Sequence, residues 1–226
     1  MTTLSTLNLT CPVCDAEFSS HRIASTHSIG QDTDFRPHTG GVDPQPHYVH
    51  VCPACYFAAF EGDFESADEH IRDFVLSHDH QPEEVLTAGD LTGLCGSTKY
   101  LLAARCYAED ERAGCLRLAD LYLRASWCAR QEGLMQREHE TQIESIMLFE
   151  EALEAEEIAE EQERVILYLL GELYRRVGRH ELAIAMFEKA AAAPIGEPDP
   201  RFDRLIERQR VAAEHHRTDN MEIDSV

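Results

Sequence analysis

The sequence predicts a mainly α protein: a small β head followed by an antiparallel stack of helices. Three observations lead to this prediction. Two Cys-Pro-x-Cys motifs lie in the first quarter of the chain, at 11–14 and 52–55. From Thr98 onward, apolar residues recur at steps of three and four, which is typical of amphipathic helices. Within that region, small and aromatic residues follow the spacing of a helical repeat of about 34 residues.

The four cysteines of the two motifs form a predicted metal site: Cys11, Cys14, Cys52 and Cys55. A Cys-x-x-Cys turn aims two thiolates at one point, and two such turns complete the tetrahedral sulfur shell that suits Zn²⁺. The alternatives are buried structural cysteines or two disulfides, but two matched pairs favour zinc and a zinc-ribbon-like head. Because a closed shell of four sulfurs leaves no open coordination position, the site is predicted to be structural.

Length and composition are those of a globular protein. The 226 residues, 43% of them hydrophobic, can form one large domain or two small ones. No apolar run approaches the ~18 residues of a membrane span. Residues 1–10 lack both the basic start and the apolar stretch of a signal peptide. We therefore expect a cytoplasmic location, where thiols stay reduced.

The chain is strongly acidic, with a formal net charge of −22 at pH 7. Up to Thr92, three arginines stand against fifteen aspartates and glutamates. Four-cysteine ribbons that bind nucleic acid need Lys and Arg to neutralise phosphates. Nucleic-acid binding is therefore disfavoured, and the expected partners are other proteins.

The head is predicted to span residues 1–60, with one strand near 19–23 and another over 47–51 that delivers Cys52 to the metal. His47 and His50 belong to the second strand. Either histidine could replace a cysteine ligand, but with four well-spaced thiols present we favour a role as strand residues.

A long loop over residues 30–46 separates the two strands, and long loops in compact domains are often functional. Within it, Asp32 and Asp34 flank Thr33. The pair could bind a cation or a basic partner. We favour a turn in which the Asp side chains accept hydrogen bonds from nearby backbone N–H groups.

The motifs of the head resemble an uncharacterised bacterial family, domain of unknown function 2225. The resemblance rests on Cys-Pro-Val-Cys at 11–14, Asp-Thr-Asp-Phe-Arg-Pro at 32–37, and Val-Cys-Pro-Ala-Cys at 51–55 followed by Ala58 and Ala59. It covers roughly the whole chain, and it implies TPR-like helices after the head, a family role for the 32–35 motif and no established enzyme activity. Family members have Gly after the second cysteine pair, where this chain has Tyr56. Because a bulky aromatic adopts positive φ at a higher cost than Gly, we expect this turn to close differently.

Residues 61–92 are predicted to be a connecting helix and linker, and 93–215 a TPR-like helical repeat domain. Residues 216–226 are predicted to be disordered because they are polar and terminal. The clearest repeat has TPR spacing at Leu167, Gly171, Tyr174, Gly178, Ala183, Phe187 and Ala190. Gly171 and Ala183 are predicted at a close helix crossing, and Gly178 at a helix end. Packing is the expected role of Cys95, Cys106, Cys115 and Cys128, which lack metal-ligand spacing.

The favoured function is a non-catalytic, zinc-binding, TPR-containing interaction module or scaffold. The alternative is a metal-dependent hydrolase that uses Asp32 and Asp34 with His47, His50, His78 or His80. Against the alternative, the sequence has no His-Glu-x-x-His motif, no nucleophile elbow and no phosphate-binding glycine loop. The predicted inner face of the repeat offers Val165, Tyr168, Glu172 and Arg175. Since only one of these is cationic, binding of a partner's C-terminal carboxylate is not expected.

Overall fold

A computed structural model describes residues 1–77, 94–110, 112–193 and 199–223. Its fold is mainly α with a small β head, as predicted. Three two-stranded antiparallel hairpins precede seven α-helices in these ranges. His78, His80 and the rest of the predicted connecting helix and linker from 78 to 92 lie outside the described residues.

The head consists of three hairpins. The pairs are β1 (Thr3–Thr10) with β2 (Glu17–Ser25), β3 (Ser28–Gln31) with β4 (Pro37–Thr39), and β5 (Val49–Val51) with β6 (Ala58–Phe60). The first and third hairpins each turn through one cysteine pair. His47 lies in a short 3-10 turn before β5 and not in the strand. The predicted long loop is partly a hairpin, because Gln31 pairs with Pro37 and Gly30 with His38.

The helices follow the predicted order. They are α1 (Glu69–Leu76), α2 (Gly96–Ala108), α3 (Cys115–Glu132), α4 (Met135–Glu154), α5 (Glu160–Arg176), α6 (His180–Ala192) and α7 (Pro200–Glu214). The first helix lies within the predicted connecting segment at 61–92. Its start is fixed by Asp68, whose carboxylate accepts a hydrogen bond from the Ile71 N–H at 3.0 Å and so caps the first turn.

Two antiparallel helical hairpins, α3–α4 and α5–α6, form the centre of the helical part. Gly133 ends α3 and Gly178 follows α5, and both adopt positive φ, the usual way to end a helix with glycine. A Cβ atom on Gly171 would lie 2.7 Å from the ring of Phe187. Gly171 therefore lets α5 and α6 approach closely, as predicted.

The described residues form two apolar cores that meet on α3. The first core joins the head to α1, α2 and α3 and includes Val49, Phe57, Tyr100, Tyr107 and Leu121. The second core is formed by the five helices from α3 through α7 and includes Leu123, Phe149, Leu170, Phe187 and Ile206. Helix α3 packs one face in each core. It therefore connects the head to the later helices through buried apolar contacts.

The C-terminal segment differs from the prediction of disorder over 216–226. Its described residues, up to 223, fold back against α5. Arg175 donates hydrogen bonds to the carbonyls of Arg217 at 2.8 Å and Asp219 at 3.0 Å, and Met221 is buried. These long-range contacts with a buried arginine order a segment whose composition alone favours disorder.

No helix within the described ranges has both the length and the apolar character that a membrane crossing requires.

Candidate metal centre and helical groove

The two cysteine turns bring four sulfurs to one point. The Cys11 and Cys55 sulfurs lie 3.6 Å apart, as do those of Cys14 and Cys52, and all four lie within 4.8 Å of one another. Bonded disulfide sulfurs would be ~2.05 Å apart, so these groups are thiols. Four sulfurs placed ~2.3 Å from a tetrahedral zinc ion would be separated by about 3.8 Å. The four cysteines could therefore hold one metal ion.

The two turns close with the same hydrogen bonds. In each turn, the backbone N–H of the first cysteine donates to the carbonyl of the residue five positions later. The backbone N–H of the residue four positions later donates to the carbonyl of that first cysteine. The N···O distances are 2.8–3.0 Å. The expectation that Tyr56 makes the second turn close differently is wrong. Tyr56 adopts φ 63°, and Asp15 at the equivalent position of the first turn adopts φ 59°.

Tyr56 therefore occupies a conformation that favours glycine. We expect Tyr56→Gly to be more stable than Tyr56→Ala by about 1 kcal/mol, since both changes remove the phenol and only Ala retains the steric cost of positive φ. Urea unfolding of the two metal-loaded variants measures this difference. At Tyr48, where φ is −83°, the same pair should show the opposite order because Gly loses more backbone entropy. Equal stability of the two Tyr56 variants would contradict the positive φ assigned to this position.

The crowding of the sulfurs affects their ionisation. Hydrogen bonding with Cys11, followed by that with Cys55, holds the pKa of Cys52 well below its usual range, and the backbone N–H groups of Cys55 and Ala54 act in the same direction. Hydrogen bonding with Cys52 raises the pKa of Cys11 to about 12. One thiolate is therefore stabilised at the expense of its neighbours. A bound divalent cation would allow all four to ionise.

His47 and His50 do not join the cysteines. His50 is buried, and its Nδ1 lies 2.8 Å from the Ser20 hydroxyl on β2. The four cysteines are the one group of three or more close metal-ligand side chains that the described part of the chain forms. Within the described residues, the structure therefore does not gather Asp32 and Asp34 with His47 or His50 into the metal site of the alternative hydrolase hypothesis.

The motif at residues 32–35, here called the acidic turn, connects β3 to β4. Its backbone closes locally, because the Phe35 N–H donates to the Asp32 carbonyl at 2.9 Å. Asp34 Oδ1 also accepts a hydrogen bond from the Arg36 N–H at 3.3 Å. The prediction of a turn with Asp side chains bonded to nearby N–H groups is thus confirmed for Asp34. However, Asp32, Thr33 and Asp34 are completely buried, which the prediction of a loop did not include.

Two arginines, one from each helical hairpin, bind the acidic turn. Arg130 on α3 contacts Asp32 Oδ2 at 2.9 Å and Asp34 Oδ2 at 2.5 Å. Arg176 on α5 lies 3.6 Å from the same Asp34 oxygen. The turn therefore connects the C-terminal ends of α3 and α5 through a shared carboxylate.

Hydrogen bonds and aromatic contacts fix the turn on α5 and α7. The Thr33 hydroxyl donates to Glu172 at 2.6 Å, and the Tyr168 hydroxyl donates to the Thr33 carbonyl at 2.6 Å. The ring of Phe35 packs 5.2 Å from that of Tyr168 and 6.3 Å from that of Phe202. The acidic turn is thus inserted into the helical part.

The arginines keep the buried carboxylate of Asp34 ionised. Burial alone would raise the pKa of Asp34, but the positive charges of Arg176 and Arg130 outweigh it and hold this pKa well below its usual range. Asp34 is therefore a charged group inside the protein, stabilised by its partners.

The C-terminal segment covers this site. The Thr33 N–H donates to the carbonyl of Met221 at 2.9 Å, and the Asn220 amide donates to Asp32 Oδ1 at 3.0 Å. Tyr168, Glu172 and Arg175 are completely buried beneath the turn and this segment. Three residues of the predicted inner face are therefore occupied by the chain itself.

Sequence reasoning missed Arg130 and Arg176. A signal was present: Arg130 stands three residues before Gly133 and Arg176 two residues before Gly178, and both glycines end a helix. Cationic residues in the last turn of a helix are common because they favour the helix dipole. The position alone therefore does not distinguish an exposed arginine from one that binds a buried carboxylate.

The other end of the space between α3 and α5 is open. The open cavity at this end, here called the α3–α5 groove, has a volume of about 390 Å³. Its lining residues are Leu116, Asp120, Leu123, Phe149, Glu161, Gln162, Val165, Ile166 and Leu169. The floor is apolar, and the acidic turn lies beyond its end, toward the C-termini of the same two helices.

The remaining cysteines pack among the helices, as predicted. Cys106 and Cys128 are buried, and Cys95 and Cys115 are partly buried. Burial raises the pKa of Cys106 to about 12, which keeps it protonated at neutral pH.

The chain matches the model of a family described as "Uncharacterized protein conserved in bacteria (DUF2225)" over residues 4–212. An uncharacterized protein of Borreliella burgdorferi (strain ATCC 35210 / DSM 4680 / CIP 102532 / B31) is 27% identical over 137 residues, which cover 52% of this chain and 49% of that relative. The aligned part thus spans about half the length of the relative. No solved structure matches the chain. Because the family model matches nearly the whole length, the chain belongs to the DUF2225 family of bacterial proteins.

Proposed function

We propose that the protein is a non-catalytic, zinc-binding interaction module or scaffold of the TPR type, which binds other proteins through its helical part. The observation that carries this proposal is the open α3–α5 groove. It lies between the first helices of two consecutive helical hairpins, and stacked hairpins commonly bind partners on such a surface. Its apolar floor supplies area that a partner could remove from water.

The proposal assigns a structural role to the metal. Four thiolates complete the coordination shell of zinc and leave no position for a substrate or a reactive water molecule. The donor set of sulfurs alone favours zinc over magnesium or calcium, which prefer oxygen ligands. The four thiols also support a reducing location such as the cytoplasm.

Affinity capture of the full chain from bacterial cells tests the interaction. We expect specific proteins to be retained by the wild type and by Cys52→Ser, because Leu123, Phe149 and Ile166 of the groove belong to the second core, away from the metal. Proteins lost with Cys52→Ser would place the binding surface on the head and contradict a helical site. Retention of no protein above a tag-only control would contradict the interaction module itself.

A further inference from the structure

We propose that the α3–α5 groove binds a segment of another protein in which apolar side chains are flanked by lysine or arginine. The inference rests on the proposed function and names the chemistry of its partner. The two ends of the space between α3 and α5 carry opposite charge on the helices.

The C-terminal end of this space shows what kind of ligand the helices hold. There, Arg130 and Arg176 bind an acidic turn, while Phe35 of that turn packs against Tyr168 and Phe202. The chain's own segment therefore supplies an apolar ring together with charges opposite to those of the helices. The open end continues this established contact along the same helices.

At the open end the charge of the helices is reversed. The charged residues that line the groove, Asp120 and Glu161, are both acidic, and no lining residue is cationic. Asp120 pairs with Arg124 at 2.7 Å, but Glu161 is exposed and pairs with no cation of the described chain. Glu157 lies beside the groove, where its carboxylate accepts a hydrogen bond from the Leu116 N–H at 3.2 Å. A basic segment would complement these charges, and an acidic one would be repelled.

The floor of the groove sets the other requirement. Leu123, Phe149 and Ile166 are buried, whereas Val165 is 38% exposed at the edge of the groove and Leu116 is partly exposed. An aliphatic or aromatic side chain placed against Val165 and Leu116 would cover apolar surface that is now open to water. The partner segment therefore needs at least one apolar side chain between its cationic residues.

A second copy of this chain is a poor occupant. The formal net charge of −22 makes two copies repel each other, since 42 aspartates and glutamates outnumber 20 lysines and arginines. The charge balance thus favours a different, basic protein.

The test uses three labelled synthetic peptides and fluorescence anisotropy with the full metal-loaded chain. One peptide has leucines separated by lysines, the second replaces the lysines with glutamates, and the third replaces the leucines with serines. We expect the Lys–Leu peptide alone to bind, with an affinity that falls as salt is added. Equal binding of the Glu–Leu peptide would contradict the charge requirement, and equal binding of the Lys–Ser peptide would contradict the apolar one.

Two groove variants and two matched controls locate the binding. Val165→Gln is expected to weaken the Lys–Leu peptide roughly tenfold, and Glu161→Lys by a similar factor. Leu182→Gln and Glu181→Lys change exposed residues on α6, outside the groove, and should leave the affinity unchanged. Circular dichroism checks that all four variants fold. Unchanged affinity in both groove variants would contradict the inference.

The same groove variants distinguish a failure of the basic-segment inference from a failure of the proposed interaction function. Proteins captured by the wild type and still captured by both groove variants would contradict the groove and leave the interaction module standing. A dimer in sedimentation that Val165→Gln dissociates would identify a second copy as the occupant and would also contradict the inference. Capture of no protein by the wild type would contradict the proposed function.

Discussion

Replacement of Cys52 by serine is expected to abolish metal binding and unfold the two hairpins that carry the cysteine pairs, while α3 to α7 keep their helical structure. Zinc held by four thiolates typically contributes about 10–16 kcal/mol of apparent binding free energy, most of which is folding free energy in a small domain. Two hairpins of the head turn through the cysteine pairs, and the strands of the second of these, β5 and β6, have only three residues each. Loss of one ligand therefore removes the main restraint on both turns.

Metal analysis and far-UV circular dichroism measure the two parts of this result. Cys115→Ser is the matched control, because Cys115 lies at the start of α3 outside the metal group and its replacement should leave one zinc ion per chain. The first core joins the head to α2, so the helical signal of α1 and α2 should fall with the head. Full retention of zinc by Cys52→Ser would contradict the four-cysteine site.

The second large effect is expected at Asp34. Asp34→Asn keeps the shape of the side chain but removes the charge that Arg130 and Arg176 share. Those arginines are 13% and 4% exposed, so the variant leaves positive charge buried without full compensation. Breaking a buried ion pair in this way costs about 3–5 kcal/mol. We expect the free energy of unfolding to fall by that amount in urea titrations of the metal-loaded protein.

A matched control for this change is Asp73→Asn on the exposed face of α1, which should alter stability by no more than about 0.5 kcal/mol. The pH dependence gives an independent check. Because the pKa of Asp34 is depressed in the folded state, its contribution is present above the ordinary carboxyl pKa of about 3.9 and is lost as the pH falls toward the folded value. The stability gap between wild type and Asp34→Asn should therefore shrink below about pH 4. A gap under about 1 kcal/mol at neutral pH would contradict the role of Asp34.

Local features of this protein were predictable from the sequence. The spacing of the cysteine pairs predicted their convergence, since each turn is determined by a few adjacent residues. Gly171 and Gly178 marked the helix crossing and the helix end for similar reasons, because the steric demand lies at the residue itself. The positive φ of Tyr56 was not predicted, because the hydrogen bonds of the turn impose it against the preference of the side chain.

The insertion of the acidic turn into the helices was not predictable from local patterns. Asp34 is separated from Arg130 by 96 positions and Asp32 from Asn220 by 188, so no spacing rule connects them. Burial of an aspartate is also unusual, and a polar turn is normally assigned to the surface. Only the three-dimensional arrangement shows that the arginines balance the charge of the buried aspartates. The same contact orders a C-terminal segment whose polarity suggested disorder.

Native mass spectrometry of the full wild-type chain, purified without added metal, shows whether the four cysteines hold zinc. We expect the mass of the chain plus one zinc ion minus four thiol protons, and loss of that ion when the protein is acidified. A metal-free mass, or a mass reduced by the hydrogens lost in two disulfides, would contradict a zinc-stabilised head.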